Sequence, residues 1–216
     1  MTASLDQAIL ALDHFQGTSL TRSLSAIERS IIGCDVGRIR RFSADRGIDQ
    51  SLMDSARAIK KVAGQINVVI HAVGIVQSLP SILEPDEVVE STSLGAGNTG
   101  RKFDLETNLR IAEYKFIDWQ GGSETIRQNS LFKDFLGLAE HRTHKRKFLY
   151  VVGTDMPLKF FRGGRALESV LSRQPKILAR LQAKYGSKIR AVRDYYELKE
   201  DEVRILDVSP CLQDSA

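Results

Sequence analysis

The stretch RKFDLETNLRIAEYKFIDW, residues 101–119, alternates apolar and charged side chains with a period of two. That period belongs to β-strands, whose successive side chains point to opposite faces. Charge is depleted in strand interiors and is costly when buried without a partner. The segment is therefore either a half-solvated hairpin or a site. In the first case its charges pair across strands for roughly a few tenths of a kcal/mol. Lys102, Asp104 and Glu106 share one face of the first strand, and Ile111, Glu113, Lys115 and Ile117 share a face of the second. A four-residue loop over 107–110 sets Asp104 opposite Glu113. A two-residue loop makes Glu113 its diagonal neighbour, and a three-residue loop without a bulge separates the two. Asn108 suits the turn.

Two carboxylates one strand apart suit a hard divalent cation such as Mg²⁺, which takes oxygen ligands and keeps several waters. Such a cation lowers the pKa of bound water and stabilises charge on phosphoryl oxygens. A lysine two residues from a ligand is placed to orient that water or to neutralise charge in the transition state.

The chain has 216 residues, 42% hydrophobic and 27% charged, which fits a globular domain with a sizeable core. Cys34 and Cys211 stand far apart, against a disulfide framework or a zinc site. The first residues, MTASLDQAILALDHF, lack a basic leader region, and the apolar run INVVIHAVGIV is too short to span a bilayer. The expected location is the cytoplasm, with no membrane partner. The net charge of +4 hides an asymmetry: residues 141–193 carry +12, and residues 194–216 carry −5. The basic block suits a polyanionic partner, although a solvated helix face gives the same count.

The N-terminal stretches LDQAILALDHF and SLTRSLSAIERSIIG read as helices, followed by a polar connection, GRIRRFSADRGIDQ. A long helix is expected over about 51–76 or beyond, its later half apolar nearly all round and buried, with Pro80 and Pro85 ending the region. EVVESTSL, RKFDLE and RIAEYKFIDW are three strands, and QGGS is a turn. NSLFKDFLGLAEH is a helix capped by Asn129 or Ser130, and KRKFLYVVGT is a fourth strand. Residues 157–186 read as one or two helices broken at Pro175, and VRDYYELK and EVRILDVSP as strands. The glycines of GAGNTG match a dinucleotide-binding fingerprint, but a strand rather than a helix follows them, so they read as a connection. The class is mixed α/β, with residues 1–50 a helical extension and 51–216 the main domain.

Asp104, then Glu113-Tyr114-Lys115, on consecutive strands between a helix and a helix–strand pair, resembles the PD-(D/E)XK nuclease superfamily. The resemblance covers roughly residues 51–154. It implies a restriction-endonuclease-like αβββαβ core with a mixed central sheet and extra N- and C-terminal helices. It implies an Mg²⁺-dependent endonuclease that hydrolyses phosphodiester bonds, DNA favoured over RNA, with Mn²⁺ able to substitute, in restriction, defence or repair. By the same resemblance Asp104 is the central metal ligand. Glu113 is the second, helped by the Tyr114 carbonyl, and Lys115 positions the attacking water. Phe103 stands where the family often has proline. A further acidic ligand would be Glu90, with Glu87 behind it, and a polar residue on the following helix would be Gln128 or Lys133. The phosphate backbone would be held by Lys145, Arg146, Lys147, Lys159, Arg162 and Arg165. Residues 1–50 would supply a homodimer interface or a target-recognition surface.

His141 and His144 read as part of the basic surface, and His71 as a core histidine. The alternative function is a non-catalytic nucleic-acid-binding or protein-interaction module of the same fold. Against it stands the complete Asp104, Glu113 and Lys115 set.

Overall fold

Leu105 pairs with Ala112 and Glu106 with Ile111 in an antiparallel hairpin. One step further out, the same register sets Asp104 opposite Glu113, as a four-residue loop requires. The computed structural model describes residues 4–95, 100–117, 119 and 124–212. Most of GAGNTG and all of QGGS lie outside the described residues.

The described helices open with α1 (Leu5–Gln16), α2 (Leu20–Ile31), α3 (Val36–Asp45) and α4 (Gln50–Ile82). Strands β1 (Val89–Thr92), β2 (Leu105–Thr107) and β3 (Arg110–Lys115) follow, then α5 (Thr125–Ala139) and β4 (Arg146–Val151). Helices α6 (Asp155–Phe161), α7 (Leu167–Val170), α8 (Pro175–Tyr185) and α9 (Val192–Lys199) lead to β5 (Val203–Asp207). The protein is α/β, with an open five-stranded mixed sheet in the order β1-β2-β3-β4-β5. The pairs β1–β2 and β2–β3 are antiparallel, while β3, β4 and β5 are mutually parallel.

The chain divides into two compact units, Met1–Asn67 and Val68–Ala216. In the first, Ser4 and Gln7 form a capping box on α1, and Gly17 ends that helix at φ 56°. The polar connection expected after α2 is instead the helix α3. Asp35 caps it by accepting from the Arg38 N–H at 2.8 Å, a signal that outweighs the charge of the segment.

In the second unit the sheet is covered on both faces. Leu105, Ala112, Tyr114, Phe148 and Tyr150 pack with Ile75 of α4 on one face. Ile111, Leu149 and Val151 pack with Phe132 and Phe135 of α5, Phe161 of α6 and Tyr195 of α9 on the other. The parallel strand β4 accordingly reads as a near-continuous apolar run. Only one stripe of the INVVIHAVGIV run is buried: Ile75 is fully covered, while Val69 is 58% and Val73 48% exposed. The helix also continues past Pro80 to Ile82. By length and composition α4 is apolar enough to cross a bilayer, with mean hydropathy 1.5 over 18 residues of which 17% are buried. Core helices of soluble proteins share that composition.

Three further regions differ from expectation. VRDYYELK is the helix α9 rather than a strand, because Asp194 accepts the Arg190 and Ala191 N–H groups at 2.8 Å each. Val192, Tyr195 and Tyr196 then fall on one buried helical face. Helix α5 starts after Glu124 rather than at Asn129 or Ser130. Residues 157–186, expected as one or two helices, fall in three, α6, α7 and α8, with Pro175 opening α8.

Candidate active site

Asp104 stands just before β2, where the hairpin register brings it against β3. Its Oδ2 accepts the Tyr114 N–H at 2.9 Å, and its Oδ1 lies 3.3 Å from His71 Nε2 on α4. Glu113, opposite Asp104 in the hairpin register, feels the Asp104 carboxylate charge directly. Two residues along β3, Lys115 Nζ lies 2.6 Å from Asp134 Oδ2 on α5. The hairpin, the helix before it and the helix after it thus each send a polar side chain to one point beside β3.

The electrostatics follow from crowding three carboxylates around one ammonium. Burial, then the Asp104 and Asp134 charges, push the Glu113 carboxyl up to about 9. It is therefore protonated at neutral pH. Burial opposes ionisation of Asp104, but the His71 hydrogen bond and the Tyr114 N–H hold it below the usual carboxylate range. Burial raises the Asp134 carboxyl against the pull of Lys115. Burial also works against the Lys115 ammonium, yet Asp134, Asp104 and Glu113 keep its pKa above that of a free lysine. Two carboxyls that interact strongly titrate as a pair rather than singly.

The raised Glu113 carboxyl is the test of whether the donor set fits a cation. A divalent ion bound by Asp104 and Glu113 would replace the proton and relieve the repulsion that raises Glu113. Mg²⁺ needs only one or two carboxylates, its other positions going to water and substrate phosphate. Among the described residues no three His, Cys, Asp or Glu side chains form a metal-holding group, and Asp134 is engaged by Lys115. The residues present therefore fit a cation held by a carboxylate pair, not a closed protein cage. Beside Lys115 opens a largely apolar cavity of about 730 Å³, lined in part by Trp119, Ile126, Leu131 and Val151.

The other candidate residues lie in different surroundings. Tyr114 meets Asp104 through its N–H, while its ring stacks on Phe116 and Tyr150 on the α4 face. Glu90 sits at a register shift in β1 and pairs with Lys145 Nζ at 2.6 Å. Glu106 reaches the same ammonium at 2.8 Å, so Glu90, Glu106 and Lys145 form a separate cluster. Glu87 is buried on the Arg110 guanidinium. Arg146 pairs with Glu84 at 2.5 Å, and Lys147 is buried with its ammonium 3.1 Å from the Ala139 carbonyl. Lys159 and Arg162 are exposed, and Arg165 hydrogen-bonds Gln128.

Two members of the cluster escaped sequence reasoning. His71 reads as a core histidine because its helix neighbours are apolar. Asp134 left a clearer signal, since it lies three residues from buried Leu131 and four from buried Leu138, on the apolar stripe of α5. A carboxylate on such a stripe needs a partner, and here the partner is Lys115. No protein-family profile, no curated protein and no solved structure matches the chain.

Proposed function

We propose that the protein is a divalent-cation-dependent endonuclease of the PD-(D/E)XK type on a restriction-endonuclease-like core, with DNA as the favoured substrate. The observation that carries this reading is the hairpin register that sets Asp104 opposite Glu113, with Lys115 two residues further along β3. The order of elements supports it. Helix α4, three antiparallel strands, α5 and a parallel fourth strand make an αβββαβ unit.

Asp104 and Glu113 would hold Mg²⁺. When bound, the ion supplies Lewis-acid polarisation of the phosphodiester and a nucleophile from water at neutral pH. The chain's own groups do the rest. Glu113 would hold the ion as a carboxylate, its proton passing to solvent. The Tyr114 N–H and His71 fix the Asp104 carboxylate in one orientation. Asp134 holds the Lys115 ammonium over the site, where it orients the attacking water and offsets charge on the phosphoryl oxygens. The apolar walls beside Lys115 limit the water that competes for these charges.

The test is a cleavage assay on plasmid, single-stranded DNA and RNA with Mg²⁺, Mn²⁺ or EDTA. Cutting should require the metal and fall by about two to three orders of magnitude in Asp104→Asn and in Lys115→Met. Cutting that survives EDTA, or that neither substitution reduces, overturns the reading.

A further inference from the structure

A second cavity, of about 510 Å³, lies where the C-terminal end of α5, the start of β4, α8 and the segment after α9 meet. Its walls are polar and mostly cationic. Lys147 and Lys199 form the buried part, their side chains only 9% and 14% exposed. Both ammonium groups turn to one carboxylate: Glu202 lies 2.5 Å from Lys199 Nζ and 3.7 Å from Lys147 Nζ. Lys184 is matched by Glu140 at 2.7 Å. Arg142 and Arg180 stand at the exposed mouth and make no ion pair among the described residues. Five cationic side chains thus share two carboxylates around one cavity.

Glu202 alone pairs with these two ammonium groups, Glu140 acts on them only from farther away, and the cavity is left with an excess of positive charge. The Ala139 carbonyl, at the negative end of α5, accepts from Lys147 and offsets part of that excess. Burial, with Lys199 beside it, still lowers the pKa of Lys147. The arginines add planar, multidentate donors at the mouth, the geometry that suits phosphate oxygens.

We propose that this cavity is a binding site for several phosphate groups of one anion, seated over Lys147 and Lys199 and clasped by Arg142 and Arg180. The site shares no residue with the Asp104 and Glu113 cluster, so it stands whether or not the chain cuts nucleic acid. The phosphates belong either to a free small molecule or to the backbone of a nucleic acid.

Isothermal titration of the full chain with sodium tripolyphosphate, in EDTA and at constant ionic strength, tests the assignment. Saturable one-site binding is expected. The exposed double variant Arg142→Ala/Arg180→Ala should weaken it about tenfold or more, without a change in the unliganded melting temperature. Lys147→Met serves as a second variant and should abolish binding where it folds. A short single-stranded oligonucleotide that displaces tripolyphosphate assigns the site to a nucleic-acid phosphate; failure to displace it assigns the site to a free anion. Heats that do not saturate, or a double variant that binds as tightly as the parent, overturn the proposal.

Discussion

At Glu113 burial and the charge of Asp104 act in the same direction, and both favour the protonated acid. The consequence for stability has a definite sign. A carboxyl whose pKa is raised to about 9 on folding stabilises the fold in full below its unfolded value, about 4.3. That contribution is lost as the pH rises through 9. In EDTA the melting temperature should therefore fall between pH 5 and 9, and Glu113→Gln, which cannot ionise, should flatten the fall. Mg²⁺ should raise the melting temperature most at the alkaline end, because there it no longer competes with the proton. Equal pH profiles for the two proteins would show that Glu113 ionises freely. None of this is visible in the residue letters. The alternation in RKFDLETNLRIAEYKFIDW places Asp104, Glu113 and Lys115 on one hairpin, because strand periodicity is local. The approach of His71 and Asp134 depends on how two helices pack onto that hairpin, and no spacing in the sequence encodes it.

Among the elements, the entry to β1 is tied to the centre of the sheet by a buried ion pair. The Arg110 guanidinium at the start of β3 is engaged by both oxygens of Glu87 and donates to the Tyr150 hydroxyl of β4 at 2.9 Å. The Thr107 hydroxyl donates to the same carboxylate at 2.5 Å. Burial alone would raise the Glu87 pKa, but Arg110 and Thr107 hold it below the usual range. Glu87→Ala leaves the buried guanidinium with only Glu84, 3.7 Å away and shared with Arg146, and should destabilise the protein by about 2–4 kcal/mol in urea unfolding. The apolar double variant Glu87→Leu/Arg110→Met should recover most of that loss. A single variant as stable as the parent would mean that the pair contributes nothing to the sheet. The pair also shows why acidic residues near the first strand mislead a reader of the sequence. Glu87 and Glu90 lie three residues apart, yet one is buried on Arg110 and the other meets Lys145 at 2.6 Å. The strands themselves were legible from periodicity and turn residues. Helices α3 and α9 were not, because their capping aspartates, Asp35 and Asp194, act at the residue level beneath a composition that suggests coil or strand.

Across the whole molecule, the excess of +12 in residues 141–193 is matched only in part by carboxylates, and Arg142, Arg173, Lys176 and Arg180 stand exposed with no ion pair among the described residues. The acidic stretch that follows is not a loose tail over its described length, since it builds α9 and β5 and carries the fully buried Tyr195. Its Glu202 neutralises Lys147 and Lys199, while Glu84, Glu90 and Glu106 occupy Arg146 and Lys145. Of the six residues expected to hold a phosphate backbone, Lys159 and Arg162 remain exposed, and Arg165 is shared with Gln128. Each phosphate contact releases counterions and adds about 0.9 to the slope of log affinity against log salt on duplex DNA. Six contacts would give a slope near −5, whereas the three remaining groups give roughly −2 to −3. On the nuclease reading, DNA binding in Ca²⁺ or EDTA should show the shallower slope. Lys159→Ala and Arg162→Ala should each flatten it by about one, and Arg146→Ala should leave it unchanged. A slope near −5 that Arg146→Ala reduces would mean that DNA breaks the Arg146–Glu84 pair on binding, and that the sequence count, not the folded surface, sets the footprint.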